Sequence, residues 1–234
     1  MSCILSIETS TSVCSVALSA EGKVLFEKSS FEGPSHAALL GVFVEEALSV
    51  LKENERKLDA VAVSSGPGSY TGLRIGVSLA KGLCFGWNIP LISIHTLDIM
   101  AATVIKQQVV DPDCLYCAML DARRMEVYAS IYDSSMHTVR ETAADIVDAD
   151  TYASNLEKGK VCFFGNGATK CQSVITSSNA LFVEDIHPLA VNMVTLAEEA
   201  YNKGQFEDVA YFEPFYLKEF QATIAKNKVL GERS

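Results

Sequence analysis

Residues 62–83 read AVSSGPGSYTGLRIGVSLAKGL, a buried strand that runs into glycine and proline and is followed by a helical pattern. Apolar side chains cluster over 58–63 at strand length, and they recur over 73–83 at helical spacing, with Thr71 as the predicted N-cap. The first backbone N–H groups of such a helix, and the positive end of its dipole, would face the turn. The stretch therefore predicts a strand–turn–helix unit with a crevice beside residues 66–71.

The spacing of the glycines excludes two standard nucleotide-binding motifs. A P-loop has four residues between its glycines and then Lys-Ser or Lys-Thr, whereas five residues separate Gly66 from Gly72 and Leu73 follows. The dinucleotide fingerprint has two residues between its last two glycines, whereas three separate Gly68 from Gly72. No nucleophile elbow surrounds Ser69. The local pattern leaves two interpretations open, an anion site and a plain tight turn.

Composition and net charge limit the classes of protein to which this chain can belong. The chain has 234 residues, of which 49% are hydrophobic and 21% charged, enough for one large domain or two small ones. It has no apolar run of membrane-spanning length and its first residues lack a secretory signal, so we expect a cytoplasmic protein that does not associate with membranes. A net charge of -10 disfavours binding of nucleic acid by this chain alone, so a partner would have to supply most of the positive surface.

The number and positions of the cysteines indicate that they are reduced, buried thiols. There are seven of them, an odd number, and most lie in apolar, strand-like contexts. Cys114 and Cys117 form a C-x-x-C motif, but no second pair follows at zinc-binding spacing. A metal or redox role for this pair is therefore the less favoured interpretation.

Strand and helix patterns predict an α/β fold built from two lobes. Three strands open the chain, strand and helix alternate up to about residue 107, and a second hairpin follows a polar, proline-containing stretch over 107–112. We predict an N-terminal lobe over residues 1–100 and a C-terminal lobe over residues 101–234, with a last segment that could pack back on the first lobe.

Hydroxyl groups and a carboxylate crowd the first predicted turn, residues 8–12. Such a turn can place polar groups around a nucleotide phosphate, although an ordinary Ser/Thr turn is favoured on composition alone. The predicted nucleotide or anion crevice comprises Glu8, Thr9, Ser10, Ser12, Gly68, Ser69 and Thr71.

The helix that follows Ser35 has an apolar arc wider than one core contact requires, which indicates a second covered face. His36 opens this helix, but position 40, where a second metal ligand would stand, is Leu40.

Arg123 and Arg124 could contact tRNA or a carboxylate. Because adjacent residues in an extended chain point in opposite directions, the favoured alternative is that one arginine braces Asp121 or Glu126 while the other is solvated.

Several strings, taken together, resemble the bacterial TsaB family, formerly called YeaZ. They are Ile7-Glu8-Thr9-Ser10, Pro34-Ser35-His36, the stretch from Ser64 to Arg74, Asp121-Ala122-Arg123-Arg124 with Glu126-Val127-Tyr128, and Gly165-Asn166-Gly167. The resemblance spans most of the chain. It implies a two-lobed actin-like or Hsp70-like ATPase (ASKHA) fold in which each lobe is a mixed sheet with helices. It also implies participation in forming threonylcarbamoyladenosine at the adenosine beside the tRNA anticodon.

The same resemblance implies a non-catalytic partner subunit without a metal or cofactor. In this family the catalytic subunit is TsaD, which carries a His-x-x-x-His metal pair on the helix matching residues 35–51, and the ATPase TsaE joins the larger complex. The resemblance further implies that tRNA is contacted mainly through these partners, and that the helices beginning near Ser35 and Thr71 form a heterodimer interface with TsaD. The predicted interface residues are His36, Leu39, Leu40, Phe43, Leu73, Val77 and Leu79.

Two alternatives remain open at this stage. One is an enzyme, either an ATPase of the same fold or a metallopeptidase of the glycoprotease superfamily. The first turn lacks the glycines that close approach to phosphate would require, and the helix that His36 opens has Leu40 in place of a second histidine, so both enzymes are less favoured. The other is a homodimer formed through the same helices when TsaD is absent.

Overall fold

A computed structural model describes residues 2–33, 35–107, 110 and 113–218 of the chain. The first lobe is built on a five-stranded sheet of order β3–β2–β1–β4–β5. Its strands are β1 (Cys3–Glu8), β2 (Cys14–Ala20), β3 (Lys23–Ser30), β4 (Ala60–Gly66) and β5 (Leu91–His95). Its helices are α1 (His36–Glu53), α2 (Tyr70–Trp87) and α3 (Thr96–Gln107). β1 pairs antiparallel with β2 and parallel with β4, so the sheet is mixed.

The second lobe repeats this arrangement of strands. Its sheet has the order β8–β7–β6–β9–β10, with an antiparallel meander at one side and two parallel strands at the other. The strands are β6 (Leu115–Asp121), β7 (Glu126–Tyr132), β8 (Thr138–Ile146), β9 (Val161–Phe164) and β10 (Ala180–Val183). Two short helices accompany them, α4 (Ala153–Leu156) and α5 (Ala168–Cys171). The predicted α/β fold with a mixed sheet in each lobe is confirmed.

The end of the described chain returns to the first lobe. A 3-10 helix (Ala190–Met193) and α6 (Val194–Asn202) follow β10, and α6 packs against β1 and β5. Residues on this side of the sheet form one buried apolar cluster, which includes Ile4, Ile92, Met193 and Ala197. The opposite side of the same sheet is covered by α1 and α2, so β1 and β4 are buried on both faces and read as nearly continuous apolar runs.

Some element boundaries differ from those predicted. α2 begins at Tyr70, and its N-cap is Ser69, whose Oγ accepts a hydrogen bond from the Gly72 N–H at 3.2 Å. The prediction of Thr71 as the cap is wrong because Thr71 already lies in the first helical turn. α3 packs on strands of both sheets, and the predicted lobe boundary at residue 100 falls inside it. Part of the polar stretch 107–112 lies outside the described residues.

No helix in the part of the chain that the structure describes is both long and apolar enough to cross a lipid bilayer.

Candidate functional site

A cleft of about 400 Å³ separates the two lobes where the N-terminus of α2 faces the turn between β6 and β7. Serine, threonine and glycine residues of the first lobe line one wall, and the other wall comes from the second lobe and from residues 215–218. The lining residues that carry polar or aromatic groups include Ser10, Ser69, Tyr70, Thr71, Asp121, Arg123, Tyr128, Asn166, Tyr216 and Lys218.

The first turn of the chain, residues 8–12, packs directly onto α2. A Cβ atom added at Gly72 would overlap the backbone oxygen of Thr9, and one added at Gly76 would overlap the Thr9 hydroxyl. Thr9 Oγ1 also donates a hydrogen bond to the Gly72 carbonyl at 2.8 Å. Gly68 makes a similar close approach to the backbone of Ser10. These glycines therefore serve turn-to-helix packing, which supports the second of the two interpretations of the glycine-rich string.

Glu8 is fully buried beneath this turn and does not line the cleft. Its Oε1 accepts a hydrogen bond from the Ser10 N–H at 2.5 Å, while no described residue bonds to its Oε2. Burial raises the pKa of Glu8 to about 7, and hydrogen bonds from Ser10 and Ser64 offset part of that effect. The carboxylate thus occupies a backbone N–H that a phosphate at this turn would need.

The matching turn of the second lobe, between β6 and β7, is filled by a lysine. Lys170, on α5, donates from Nζ to the backbone oxygens of Arg124 at 2.7 Å and Glu126 at 2.5 Å, and it forms an ion pair with Asp121. A turn that directs carbonyl oxygens at an internal ammonium group is arranged for a cation. The ion pair between Lys170 and Asp121 offsets the positive charge that would otherwise attract a phosphate to this turn.

Arg123 and Arg124 occupy the tip of that turn with φ of 71° and 48°, so the prediction that they lie in extended backbone is wrong. Both side chains are exposed, and Arg123 lines the cleft. The predicted bracing of a carboxylate by one arginine is also wrong, because Asp121 pairs with Lys170 and Glu126 pairs with Lys218. Within the described residues, neither guanidinium forms an ion pair.

The predicted crevice residues separate into three groups. Ser10, Gly68, Ser69 and Thr71 line the cleft, whereas Glu8 and Thr9 are buried behind it and Ser12 is exposed outside it. Sequence reasoning missed Lys170, which fills the turn between β6 and β7, and the segment 215–218, which lines the cleft, because both come from distant parts of the chain. Phe215 donates its N–H to the Ser65 carbonyl at 2.7 Å, which fixes this segment along the cleft.

The predicted interface residues of α1 and α2 mostly face the core of this chain. Leu40, Phe43, Leu73 and Val77 are at most 5% exposed, so they cannot also contact a partner. His36 is buried, with Nε2 at 3.1 Å from the Val13 carbonyl oxygen. Leu39 and Leu79 are half-buried and border the exposed faces of the two helices.

The solvent-facing sides of α1 and α2 carry several small residues beside larger exposed ones such as Glu45, Arg74 and Phe85. The small residues are Ala37, Ala38, Gly41 and Val42 on α1 and Ser78, Gly82 and Gly86 on α2. We call these seven residues the small-residue face. A Cβ atom added at Gly41, Gly82 or Gly86 would meet nothing within 4 Å. Glycine in a helix interior costs about 0.5–1 kcal/mol relative to alanine, and no contact among the described residues accounts for that cost at these three positions.

The cysteines are buried free thiols, including Cys114 and Cys117. Among the described residues, no group of three or more histidine, cysteine, aspartate or glutamate side chains has an arrangement that could hold a metal ion.

The chain is similar to proteins of known families. Residues 32–226 match the family model described as "TsaD: tRNA N6-adenosine threonylcarbamoyltransferase". The tRNA threonylcarbamoyladenosine biosynthesis protein TsaB of Escherichia coli is 28% identical over 225 residues, which cover 92% of this chain and 94% of that protein. TsaB of Bacillus subtilis is 30% identical over 186 residues, covering 78% and 76% of the two chains.

Two solved structures from Pseudomonas aeruginosa have the same fold. YeaZ superposes with a TM-score of 0.74 at 28% identity, and a protein described as similar to the peptidase YeaZ superposes with a TM-score of 0.80 at 27% identity. Each alignment covers 93% of this chain and the whole of the other chain. The predicted two-lobed actin-like fold is thereby confirmed. From these similarities in sequence and structure, the chain belongs to the TsaB family of tRNA threonylcarbamoyladenosine biosynthesis proteins.

Proposed function

We propose that this chain is the non-catalytic partner subunit of a complex that forms threonylcarbamoyladenosine on tRNA. In this proposal it binds a transferase of the TsaD type as a heterodimer, and an ATPase of the TsaE type joins the larger assembly. The family match and the relatives' names support the pathway. The small-residue face supports the mode of binding.

The observation that carries the docking proposal is the set of three exposed helix glycines. Gly41 lies on α1, and Gly82 and Gly86 lie on α2, each with open space where a side chain would be. Small residues on a helix allow the backbone of another helix to approach closely. α1 and α2 are neighbours in the fold, so one partner could contact both helices. A helical partner pressed against that surface would explain glycines that the isolated chain does not need.

The two turns beside the cleft support a non-catalytic role. In the first lobe, Glu8 takes a backbone N–H of the turn, and in the second lobe Lys170 takes its carbonyl oxygens. An ATPase of this fold would need those turns open to phosphate. The metallopeptidase alternative would need a second ligand beside His36, but Leu40 occupies that position and the His36 ring is buried against Val13.

The docking proposal is tested by placing arginine at two of the exposed glycines. We expect the double variant Gly41→Arg/Gly82→Arg to reduce recovery of the cognate TsaD-type protein in a pull-down at least about tenfold, because two long charged side chains would occupy a closely packed interface. The matched control is Gly159→Arg, since Gly159 is also exposed with open space around it but lies in the second lobe.

Stability and activity measurements complete that test. All three substitutions should leave the thermal midpoint of the isolated chain within about 3 °C of the wild type, because at each position an added Cβ atom meets nothing within 4 Å among the described residues. The double variant should also fail to support tRNA modification in a reconstituted assay, whereas Gly159→Arg should support it. Undiminished recovery of the partner by a folded double variant would refute docking through the small-residue face.

If the isolated chain forms a homodimer through the same surface, light scattering should show the double variant as a monomer.

A further inference from the structure

A separate cavity of about 400 Å³ lies beside β5, the last strand of the first sheet, between the start of α3 and the end of α6. Residues 93–98 make one wall, and α6 with the segment 205–207 makes the other. The Glu207 N–H donates to the Leu91 carbonyl at 2.8 Å, so this segment forms a single antiparallel bridge with β5. We call this space the edge cavity. Its volume falls within the range of small-molecule sites, and it shares no lining residue with the interlobe cleft.

Two half-buried carboxylates in the edge cavity are each held by a hydroxyl group. The Tyr132 hydroxyl donates to Asp98 Oδ1 at 2.6 Å, and the Ser93 hydroxyl donates to Glu207 Oε1 at 2.5 Å. Each contact uses one oxygen, and the second oxygen of each carboxylate receives no hydrogen bond from the described residues. Burial raises the pKa of Asp98, and the hydrogen bond from Tyr132 offsets only part of that effect. The cavity therefore holds two oriented carboxylates, each with an oxygen available to a donor.

The charge of the edge cavity favours a cation. Asp98, Glu199 and Glu207 line it, against one lysine. That lysine, Lys203, pairs with Glu199 at 3.4 Å, so it does not compensate the other two carboxylates. His95 also lines the cavity, but it adds positive charge only when it is protonated. An anionic ligand would meet two uncompensated carboxylates, whereas a cationic ligand would neutralise them.

The layout of these groups suits an extended organic cation better than a metal ion. In the described part of the chain, no three histidine, cysteine, aspartate or glutamate side chains converge as metal ligands. The acidic side chains of the cavity therefore do not share one point. Ile94, Leu196 and Ala200 add apolar surface to the same cavity. An aliphatic chain with an ammonium group at each end matches both features, because its methylene groups contact the apolar wall and each ammonium group has three donors for carboxylate oxygens.

We propose that the edge cavity binds a small aliphatic polyamine, of which a diamine is the minimal form. In this arrangement one ammonium group bonds to the available oxygen of Asp98 and the other to that of Glu207. An amino acid fits less well, because its carboxylate would have to displace Glu199 from Lys203. The inference goes beyond the proposed function and does not depend on it, since the cavity lies outside both the interlobe cleft and the small-residue face.

The test uses the isolated full-length chain and 1,4-diaminobutane, with binding measured by isothermal titration calorimetry at constant ionic strength. We expect a single site, and we expect Asp98→Asn/Glu207→Gln to weaken binding at least about tenfold. Both substitutions keep a carbonyl oxygen as acceptor for the hydroxyl group that each carboxylate binds. The matched control is Asp150→Asn/Glu157→Gln, which removes the same charge from exposed positions outside the cavity. It should change the affinity less than about twofold.

Further measurements separate the alternatives. n-Butylamine, which has one ammonium group, should bind at least about fivefold more weakly than the diamine, and L-alanine should also bind more weakly. Bound diamine should slow hydrogen exchange over residues 203–207 and leave residues 150–157 unchanged. The proposal is overturned by no measurable binding at millimolar diamine, by equal loss in both double variants, or by a monoamine or amino acid that binds as tightly as the diamine.

The docking variant keeps this test independent of the proposed function. Gly41→Arg/Gly82→Arg should bind the diamine as the wild type does, because neither glycine lines the edge cavity. A failure of the docking proposal and a failure of this one therefore give different results.

Discussion

Replacing Gly72 by alanine is expected to lower the free energy of unfolding of the isolated chain by about 3 kcal/mol. The added Cβ would overlap the backbone oxygen of Thr9, and a backbone atom held by a turn cannot move aside as the end of a flexible side chain can. The substitution would also disturb the hydrogen bond from Thr9 Oγ1 to the Gly72 carbonyl. These losses exceed the gain of up to about 1 kcal/mol that alanine brings as a helix former. Urea denaturation of the purified variant measures the effect.

The same helix supplies a matched control for this prediction. Gly82 also lies in α2, but a Cβ atom there meets nothing within 4 Å. Gly82→Ala should therefore raise the free energy of unfolding by about 0.5–1 kcal/mol, with the sign opposite to that of Gly72→Ala. If both substitutions stabilise the chain, the first turn does not rest on α2 as described, and the packing explanation of the glycine-rich string is wrong.

The second large effect is a dependence of stability on pH that originates at Glu8. Its pKa is about 7 in the folded chain and near 4.5 in the unfolded chain, because burial disfavours the carboxylate. Below about pH 4.5 the group is protonated in both states and costs nothing. Between about pH 4.5 and pH 7 the unfolded chain releases this proton while the folded chain still holds it. About 3 kcal/mol of stability is therefore lost as the pH rises through this range.

Glu8→Gln removes this titration and keeps an acceptor for the Ser10 N–H. The difference in unfolding free energy, variant minus wild type, should therefore grow by about 3 kcal/mol between pH 4.5 and pH 7.5. Denaturation curves at several pH values provide the measurement. A difference for Glu8→Gln that stays constant over this range would mean that the Glu8 carboxyl group is not buried as an acid.

In the first lobe the sequence was sufficient to predict strands and long helices, because their signals are periodic and local. The two-lobed actin-like fold was predicted from the resemblance to a known family and not from periodicity. Strand β4, the break at Gly66 and the long apolar helix α2 follow directly from the order of residues 58–83. The N-cap was misplaced by two positions because both Ser69 and Thr71 can cap a helix. Only the direction of the chain leaving β4 decides between them.

The phase of the interface helices was not predictable in the same way. α1 and α2 are apolar over a wide arc, so periodicity does not show which apolar residues face their own sheet and which face a partner. The structure assigns Leu40 and Phe43 to the core, and the remaining face is marked by glycine and alanine. Under the docking proposal, the exposed helix glycines mark the partner's face, and a search for apolar periodicity does not detect them. The position of Lys170 was not predictable for another reason, because the β6–β7 turn that it contacts lies more than 40 residues earlier in the chain.

The return of α6 to the first sheet has a consequence for how the protein folds as it is made. The side of that sheet bearing Ile4 and Ile92 is covered in part by Met193 and Ala197, which leave the ribosome about 100 residues after β5. At translation rates of about 5–20 residues per second, that apolar side stays partly open for roughly 5–20 s. The first sheet of the nascent chain is therefore fully covered only after α6 has been synthesised.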